Sequence, residues 1–260
     1  MESLWVAKTG LDAQQTRMTV VSNNLANVNT NGFKKGRAIF EDLLYQNVSQ
    51  AGGATSQNTE KPTGLTLGTG VRVVATEKTF NQGSTVNTGN PFDIMISGRG
   101  FFQVLMPDGT QAYTRDGSFK IDSEGRLVAA SGYELQPSIT VPNGVTAVTI
   151  SPDGLIQANV TGQVDPVTIG TLQIADFINP AGLQPRGQNL LVETSASGTP
   201  QIGNPNLEGR GHLVQGALEG SNVNVVEELV GMIETQRAYE MNSKAIAVSD
   251  QMLQYLNNNL

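Results

Sequence analysis

The first 28 positions carry a heptad through Leu4, Ala7, Leu11, Gln14, Met18, Val21, Leu25 and Val28, in alternating steps of three and four. That spacing places all eight on one stripe of a helix, as in a coiled-coil seam. A helix over 4–28 is roughly 38 Å long at ~1.5 Å per residue. Asn29-Thr30-Asn31-Gly32 stops it, with Gly32 free to take the left-handed backbone found just past helix ends. The polar positions of this segment are uncharged hydrogen-bonding groups, Gln14, Gln15, Asn23, Asn24, Asn27, Asn29 and Asn31. A helix built only for solubility carries Lys and Glu there.

The C-terminal end has the same character. Asn224 followed by Glu227 resembles a capping box with Asn in place of Ser or Thr. Beyond it Val225, Leu229, Met232, Gln236, Tyr239, Ile246 and Leu253 lie near one stripe, and Ser243 and Asp250 weaken the seam. No Gly or Pro interrupts 232–260, so the pattern predicts a helix over about 224–256.

Between the ends, about 66–215, short apolar or alternating runs such as Phe101–Met106, Thr146–Ile150 and Val167–Ile174 are separated by turn signals. The turns include Asn81-Gln82-Gly83, Pro107-Asp108-Gly109, Asp116-Gly117, Ser123-Glu124-Gly125, Asn143-Gly144 and Pro152-Asp153-Gly154. The spacing predicts antiparallel strands, not βαβ units. The expected fold is α+β, with long N- and C-terminal helices paired as a coiled-coil-like stalk and a central antiparallel β-rich domain. The expected division is a terminal helical assembly domain (1–31 and 221–260), a connecting segment (32–90) and a β-rich outer domain (91–220). Residues 46–64 are rich in Gln, Ser, Thr, Gly and Asn. They read either as a loop or as an extended hairpin braced by neighbouring copies. Phe40, Leu43, Leu44 and Tyr45 precede the stretch and Leu65, Leu67, Val71, Val73 and Val74 follow it, as apolar anchors on both sides.

Composition narrows the function. The 260 residues hold 29 Gly, and charged residues are only 15%, below the usual ~25%. Such a polar, weakly self-repelling surface suits dense packing of identical copies. With 16 basic against 23 acidic residues the net charge is −7, which argues against a nucleic-acid groove. The absence of Cys removes disulfides and thiol chemistry. Met1-Glu2-Ser3-Leu4-Trp5 lacks the basic and apolar regions of a secretory signal, so if the chain is exported, the expectation is export without a cleaved signal peptide.

Candidate chemistry is sparse. His212 is the sole His and has no acid–Ser pattern or ligand cluster beside it. Gly98-Arg99-Gly100 lacks the third Gly of a dinucleotide loop and runs into Phe101-Phe102, a strand signal. Asp108, Asp116, Asp122, Glu124 and Asp153 could in principle supply a carboxylate pair for sugar hydrolysis, but each sits in a turn signal, where Asp is favoured for bonding its own backbone. The expected catalytic, cofactor and metal residues are therefore none. The helical stripes remain. They close on each other within one chain, against other chains, or both.

Several motifs carry a resemblance. Ser22-Asn23-Asn24-Leu25-Ala26-Asn27-Val28-Asn29-Thr30-Asn31-Gly32-Phe33-Lys34 resembles the N-terminal signature of the flagellar rod and hook axial protein family. Ser221-Asn222-Val223-Asn224, continuing through Val226-Glu227-Glu228-Leu229 to Gln236-Arg237-Ala238-Tyr239-Glu240, resembles its C-terminal signature. Gly98–Phe102 and Tyr113–Phe119 resemble its central β region. Phe40–Gln46 and Pro62–Arg72 resemble the distal rod members.

The resemblance implies a structural subunit of the flagellar distal rod. It would self-assemble into a rigid helical tube that transmits torque from motor to hook and leaves a central export channel. It implies a homo-oligomer that meets proximal rod proteins, the hook protein, the periplasmic and outer-membrane bushing rings and the flagellar export apparatus. The implied location is the basal body, in the rod crossing the periplasm. The contacts expected to carry assembly are Leu4, Leu11, Met18, Val21, Leu25, Val28, Val225, Leu229, Met232, Tyr239, Ile246 and Leu253. The family motif rests on Asn23, Asn24, Leu25, Ala26, Asn27, Gly32, Phe33, Asn222, Asn224, Gln236, Arg237, Ala238 and Tyr239. The competing readings are another axial protein, proximal rod or hook, and an exported β-rich carbohydrate-active protein.

Overall fold

The computed structural model describes residues 2–49, 54–56, 59–60, 63–162 and 165–258. The chain forms two compact units, one of Met1–Ala26, Gly36–Glu77 and Asn224–Leu260, the other of Asn27–Lys35 and Lys78–Val223. The architecture is α+β, with a helix at each end and strands between.

The helical unit opens with α1 (Glu2–Ala26). Three Thr residues sit inside α1 and satisfy their hydroxyls locally: Thr9 donates to the Val6 carbonyl, Thr16 to Asp12 and Thr19 to Gln15. The chain then runs through β1 (Gly36–Asp42), β2 (Tyr45–Ser49), β3 (Ala54–Ser56), β4 (Thr59–Glu60), β5 (Leu65–Gly68) and β6 (Val71–Lys78). Pairing is nested: β1 with β6, β2 with β5 and β3 with β4. The described parts of 36–78 thus form one antiparallel ribbon. Residues 50–53, 57, 58, 61 and 62, within the stretch expected to be hairpin or loop, lie outside the described residues. At the ribbon's base Gly70 presses on α1, where an added Cβ would lie 2.2 Å from Thr9 Oγ1, and the Val71 N–H donates to the same oxygen at 3.3 Å. The final helix, α2 (Val225–Asn258), begins at Asn224, whose Oδ1 accepts the Val226 N–H at 3.0 Å. That bond satisfies one of the orphan donors at a helix start.

The β unit contains β7 (Thr85–Asn87), β8 (Ile94–Ser97), β9 (Phe102–Leu105), β10 (Gln111–Thr114), β11 (Lys120–Ile121), β12 (Leu127–Val128) and β13 (Glu134–Gln136). There follow β14 (Val145–Ile150), β15 (Leu155–Val160), β16 (Val167–Thr171), β17 (Ile174–Asp176), β18 (Gln184–Gly187) and β19 (Leu190–Val192). The last strands are β20 (Gln201–Gly203), β21 (His212–Gln215) and β22 (Ala217–Glu219). The largest sheet has the order β11-β12-β13-β9-β10-β19-β18, and β14-β15-β16 form a second. The pairings are antiparallel.

Two cores fill this unit, and the pleat of β9 and β10 separates them. Successive side chains on a strand point to opposite faces. Phe102, Val104 and Ala112 therefore enter one core with Ile94, Ile96, Phe119, Leu135 and Leu172, while Phe101 and Tyr113 enter the other with Phe177, Leu183 and Leu191. Phe102 meets Phe119 edge-on at 5.0 Å, and Tyr113 meets Phe177 edge-on at 4.8 Å.

A charged cluster lies inside the same unit. Glu219, at the end of β22, is fully buried, with Lys34 and Arg115 beside it at 3% and 5% exposure. Lys34 Nζ donates to Glu219 Oε1 at 2.5 Å and to the Asn81 carbonyl at 2.8 Å. The Gly83 N–H donates to Oε1 at 2.9 Å. Arg115 Nη1 stands 3.4 Å from Glu219 Oε2, and the same guanidinium donates to the Ile96 and Gly98 carbonyls. Burial lowers the Lys34 pKa, and the Glu219 charge opposes that shift. Gly32 completes the junction by donating its N–H to the Glu219 carbonyl at 2.7 Å. Its φ is +69°, and a Cβ there would lie 2.6 Å from the Asp116 nitrogen, so only glycine fits.

Two predictions follow from these buried groups. Removing the one anion leaves two buried cations facing each other, so Glu219→Gln should cost about 3–5 kcal/mol in urea unfolding. Lys34→Met should cost less, because Arg115 still faces Glu219; equal losses would show that the three charges do not act as a set. The Tyr113 hydroxyl is buried with no hydrogen-bond partner among the described residues, and burial followed by the Glu193 charge raises its pKa from 10.0 to about 12. A raised folded-state pKa means that stability present below pH 10 is lost as pH climbs through about 12. Tyr113→Phe should therefore be neutral or stabilising at pH 7 and should flatten the alkaline decline in melting temperature.

Candidate functional site

The carboxylates named as candidate chemistry are engaged in local structure. Asp108 Oδ1 accepts the Thr110 N–H at 3.0 Å, Asp116 Oδ1 the Ser118 N–H at 3.1 Å and Asp122 Oδ1 the Glu124 N–H at 2.6 Å. These are the side-chain-to-backbone turns that favour Asp. Asp122 also holds Arg126 at 2.8 Å, and Asp153 accepts from Asn206 at 2.9 Å. His212 lies exposed on β21 opposite Ser97. Among the described residues no three His, Asp or Glu side chains converge as metal ligands.

The feature that stands out is the way α1 and α2 meet. Gly10 lies against Asn242, Arg17 Nη2 is 3.8 Å from Glu234, and Asn24 Nδ2 donates to Glu228 Oε2 at 3.1 Å. The helices therefore run antiparallel, side by side. The α2 positions turned inward are Glu228, Gly231, Thr235, Ala238 and Asn242, again in steps of three and four. Glu228 and Thr235 are buried, and the other three are half-buried. From α1 come Gly10, Ala13, Arg17, Val21 and Asn24. Apart from Val21, this seam is made of small and polar groups. Thr235 donates to the Gly231 carbonyl at 2.6 Å, so its buried hydroxyl is satisfied.

The large apolar residues of both helices lie elsewhere. Leu4, Leu11, Met18 and Leu25 are half-buried flankers of the α1 seam, and only Val21 of the predicted α1 stripe is buried. Val28 falls beyond the end of α1, half-buried in the β unit. On α2, Val225, Leu229, Tyr239 and Leu253 are exposed, while Met232 and Ile246 are half-buried. Sequence periodicity did not single out the most exposed set. Val226, Met241 and Tyr255 are 70%, 65% and 70% exposed, with Val230, Ile233, Val248 and Met252 close behind. Each helix has two stripes one residue apart, one small and polar, one large and apolar. The inner stripe carries too little hydrophobicity to be read from periodicity. Contiguous exposed apolar surface of this kind marks an interaction face.

The motif residues act as polar clamps. Asn24, at 2% exposure, pairs with Gly36 as a strand would: its Oδ1 accepts the Gly36 N–H at 2.8 Å and its Nδ2 donates to the Gly36 carbonyl at 2.9 Å. Asn222 accepts the Lys35 N–H at 2.6 Å and donates to the Thr79 and Asn81 carbonyls, tying three chain segments within the β unit. Leu25 is half-buried, Ala26 ends α1, and Asn27 accepts the Thr30 N–H in the turn that follows. Gly32 and Phe33 are buried, and Lys78 Nζ sits 4.5 Å over the Phe33 ring. Asn224 is the cap of α2. Asn23, Gln236, Arg237 and Tyr239 face outward, and Ala238 lies on the inner seam. Lys34 and Arg115 stood in the sequence motifs only as motif residues, and Glu219 was not singled out. A Glu inside the apolar run Ala217-Leu218-Glu219 is the signal that would have flagged the cluster.

Comparison with known proteins bears on the same segments. Residues 4–34 match the family model described as "Flagella basal body rod protein", and residues 214–259 match "Flagellar basal body rod FlgEFG protein C-terminal". Residues 95–158 match "Flagellar hook protein FlgE/F/G D1 domain". The flagellar basal-body rod protein FlgG of Buchnera aphidicola subsp. Schizaphis graminum is 56% identical over 254 residues, which cover 98% of each chain. The protein of that name from Borreliella burgdorferi is 48% identical over 260 residues, and the one from Bacillus subtilis is 37% identical over 265. Both alignments cover 99% of this chain and 98% of the relative. With relatives this similar across their whole length, and with both helices and the central β region matched, the chain belongs to the FlgG family of flagellar basal-body rod proteins.

Proposed function

We propose that the chain is a structural subunit of the flagellar distal rod and that its two helices are the elements through which copies assemble. The observation that carries this reading is the inside-out helix pair. Small and polar residues fill the contact within one chain, and Val226, Leu229, Val230, Ile233, Met241, Val248 and Met252 remain exposed. Burying a large aliphatic side chain is worth about 1.5–3 kcal/mol. A helix that leaves so many uncovered gains most of its stabilisation when another copy covers them.

In the assembled tube the helices of neighbouring copies close into a coiled-coil-like inner layer around a central channel, using the stripes through Leu11, Leu25, Leu229 and Leu253. The polymer transmits torque from the motor to the hook, between proximal rod and hook proteins and inside the bushing rings. The subunit reaches that place through the flagellar export apparatus. The ribbon of 36–78 braces one copy against the next. Its exposed Tyr45, Val48, Leu65 and Leu67 leave apolar contacts free for a neighbour.

Two experiments test the reading. Ile233→Ser with Val230→Ser should lower the monomer's unfolding free energy in urea by no more than about 1.5–3 kcal/mol, because each side chain is 50% exposed and gives up only about half of a full burial. The same pair should abolish polymer formation seen by electron microscopy and should abolish motility. Rods that form normally would remove the assigned role of α2's outer face. Deleting residues 46–64 should give a polymer that still forms but bends; a deletion rod as stiff as the parent would leave the ribbon without a bracing role.

A further inference from the structure

The chain has two Asn-Gly steps, Asn31-Gly32 and Asn143-Gly144, and three Asp-Gly steps, at Asp108, Asp116 and Asp153. Such steps can cyclise, because glycine offers no side chain to hinder its own nitrogen. The reaction needs a glycine N–H free of other bonds and a main chain free to swing that nitrogen onto the preceding side-chain carbonyl carbon.

The fold withholds those conditions at four of the five. The Gly32 N–H donates to the Glu219 carbonyl at 2.7 Å inside the buried charge cluster. The Gly109 N–H donates to Met106 and the Gly154 N–H to Ser151, both at 2.9 Å. Gly117 is buried, with the Ile94 carbonyl oxygen 1.7 Å from where its Cβ would be. Gly144 has none of these restraints. Asn143 and Gly144 are both exposed in the turn before β14, and nothing lies within 4 Å of the Cβ position. Among the described residues the Gly144 N–H has no acceptor, although its carbonyl accepts from Thr161.

We propose that Asn143 is a spontaneous modification site, converted through a succinimide to aspartate and isoaspartate. The Gly144 nitrogen loses its proton and bonds to Asn143 Cγ. The bond from Cγ to the side-chain nitrogen breaks, and that nitrogen leaves as ammonia with the proton. A solvent water then opens the ring at either carbonyl. One opening restores the main chain with a carboxylate side chain; the other routes the main chain through the side-chain carbon. Each product adds a negative charge beside Asp122, which lines the same surface hollow as Asn143, Val141 and Val145. The isoaspartate form also lengthens the main chain next to Val145, where the β14–β15 register already shifts.

The test is incubation of the intact folded chain in mildly alkaline buffer, followed by peptide mass spectrometry with separation of aspartate from isoaspartate. The Asn143 peptide should convert to both products, and the Asn31 peptide at least about tenfold more slowly, since Gly32 must first be released by opening of the buried cluster. In urea the two rates should come together. Asn143→Gln should remove the fast product and leave the Asn31 rate unchanged. Equal rates at Asn143 and Asn31 in the folded chain would overturn the proposal, as would conversion of Asn143 to aspartate with no isoaspartate.

Discussion

A carboxylate with no access to water cannot stand alone, and in this molecule that constraint organises the β unit. Glu219 sits at zero exposure at the end of a short apolar strand. It is tolerated because Lys34 and Arg115 bring charge to it and the Gly83 N–H brings a further donor. Each partner comes from a different part of the chain: Lys34 follows α1, Gly83 lies before β7, and Arg115 follows β10. Ion pairs in such surroundings add little net stability over a well-packed apolar core, but losing one member is severe. Their value here is specificity. A chain that misplaces the segment of Lys34, the turn of Arg115 or the strand of Glu219 leaves an uncompensated charge inside the β unit.

Neutral amides do comparable work where charge is not needed. Asn24 and Asn222 each offer an acceptor and two donors from one planar group, which matches a peptide unit. Asn24 thereby pairs with Gly36 as a short strand would. Asn222 holds Lys35 and the Thr79–Asn81 segment together. An Asp at either place would lose the donors, and a Leu would lose all three bonds. The many Asn residues that replace charge in this composition include these two structural clamps.

The helical unit applies the opposite logic to hydrophobic surface. Gly10, Ala13, Gly231, Thr235 and Ala238 let α1 and α2 lie close with little apolar area between them. The side chains with the largest transfer energies are left half in water. Such a pair closes without using its largest apolar side chains.

Much of this architecture was legible along the chain. Spacing of three and four, unbroken toward the glycine stop of α1 and weakened at Ser243 and Asp250 beyond the Asn cap of α2, is enough to predict both helices, because helix periodicity is a local property. Asp-Gly and Asn-Gly steps marked turns for the same reason, and the motif signatures indicated the family. The seam was not legible. The strongest apolar stripes are not the faces on which α1 and α2 meet, because the contact within one chain is made by small and polar residues that carry no hydrophobic signal. The sequence also could not show that Glu219, Lys34 and Arg115 meet, since they lie far apart along the chain and nothing local distinguishes a buried charge from a solvated one. Nor could it show that Asn31-Gly32 is locked while Asn143-Gly144 is open, although the two dipeptides are identical. Local spacing determined the elements. Desolvation, close approach and the pairing of distant polar groups were decided only when the chain had folded, because those quantities depend on what surrounds a residue in space.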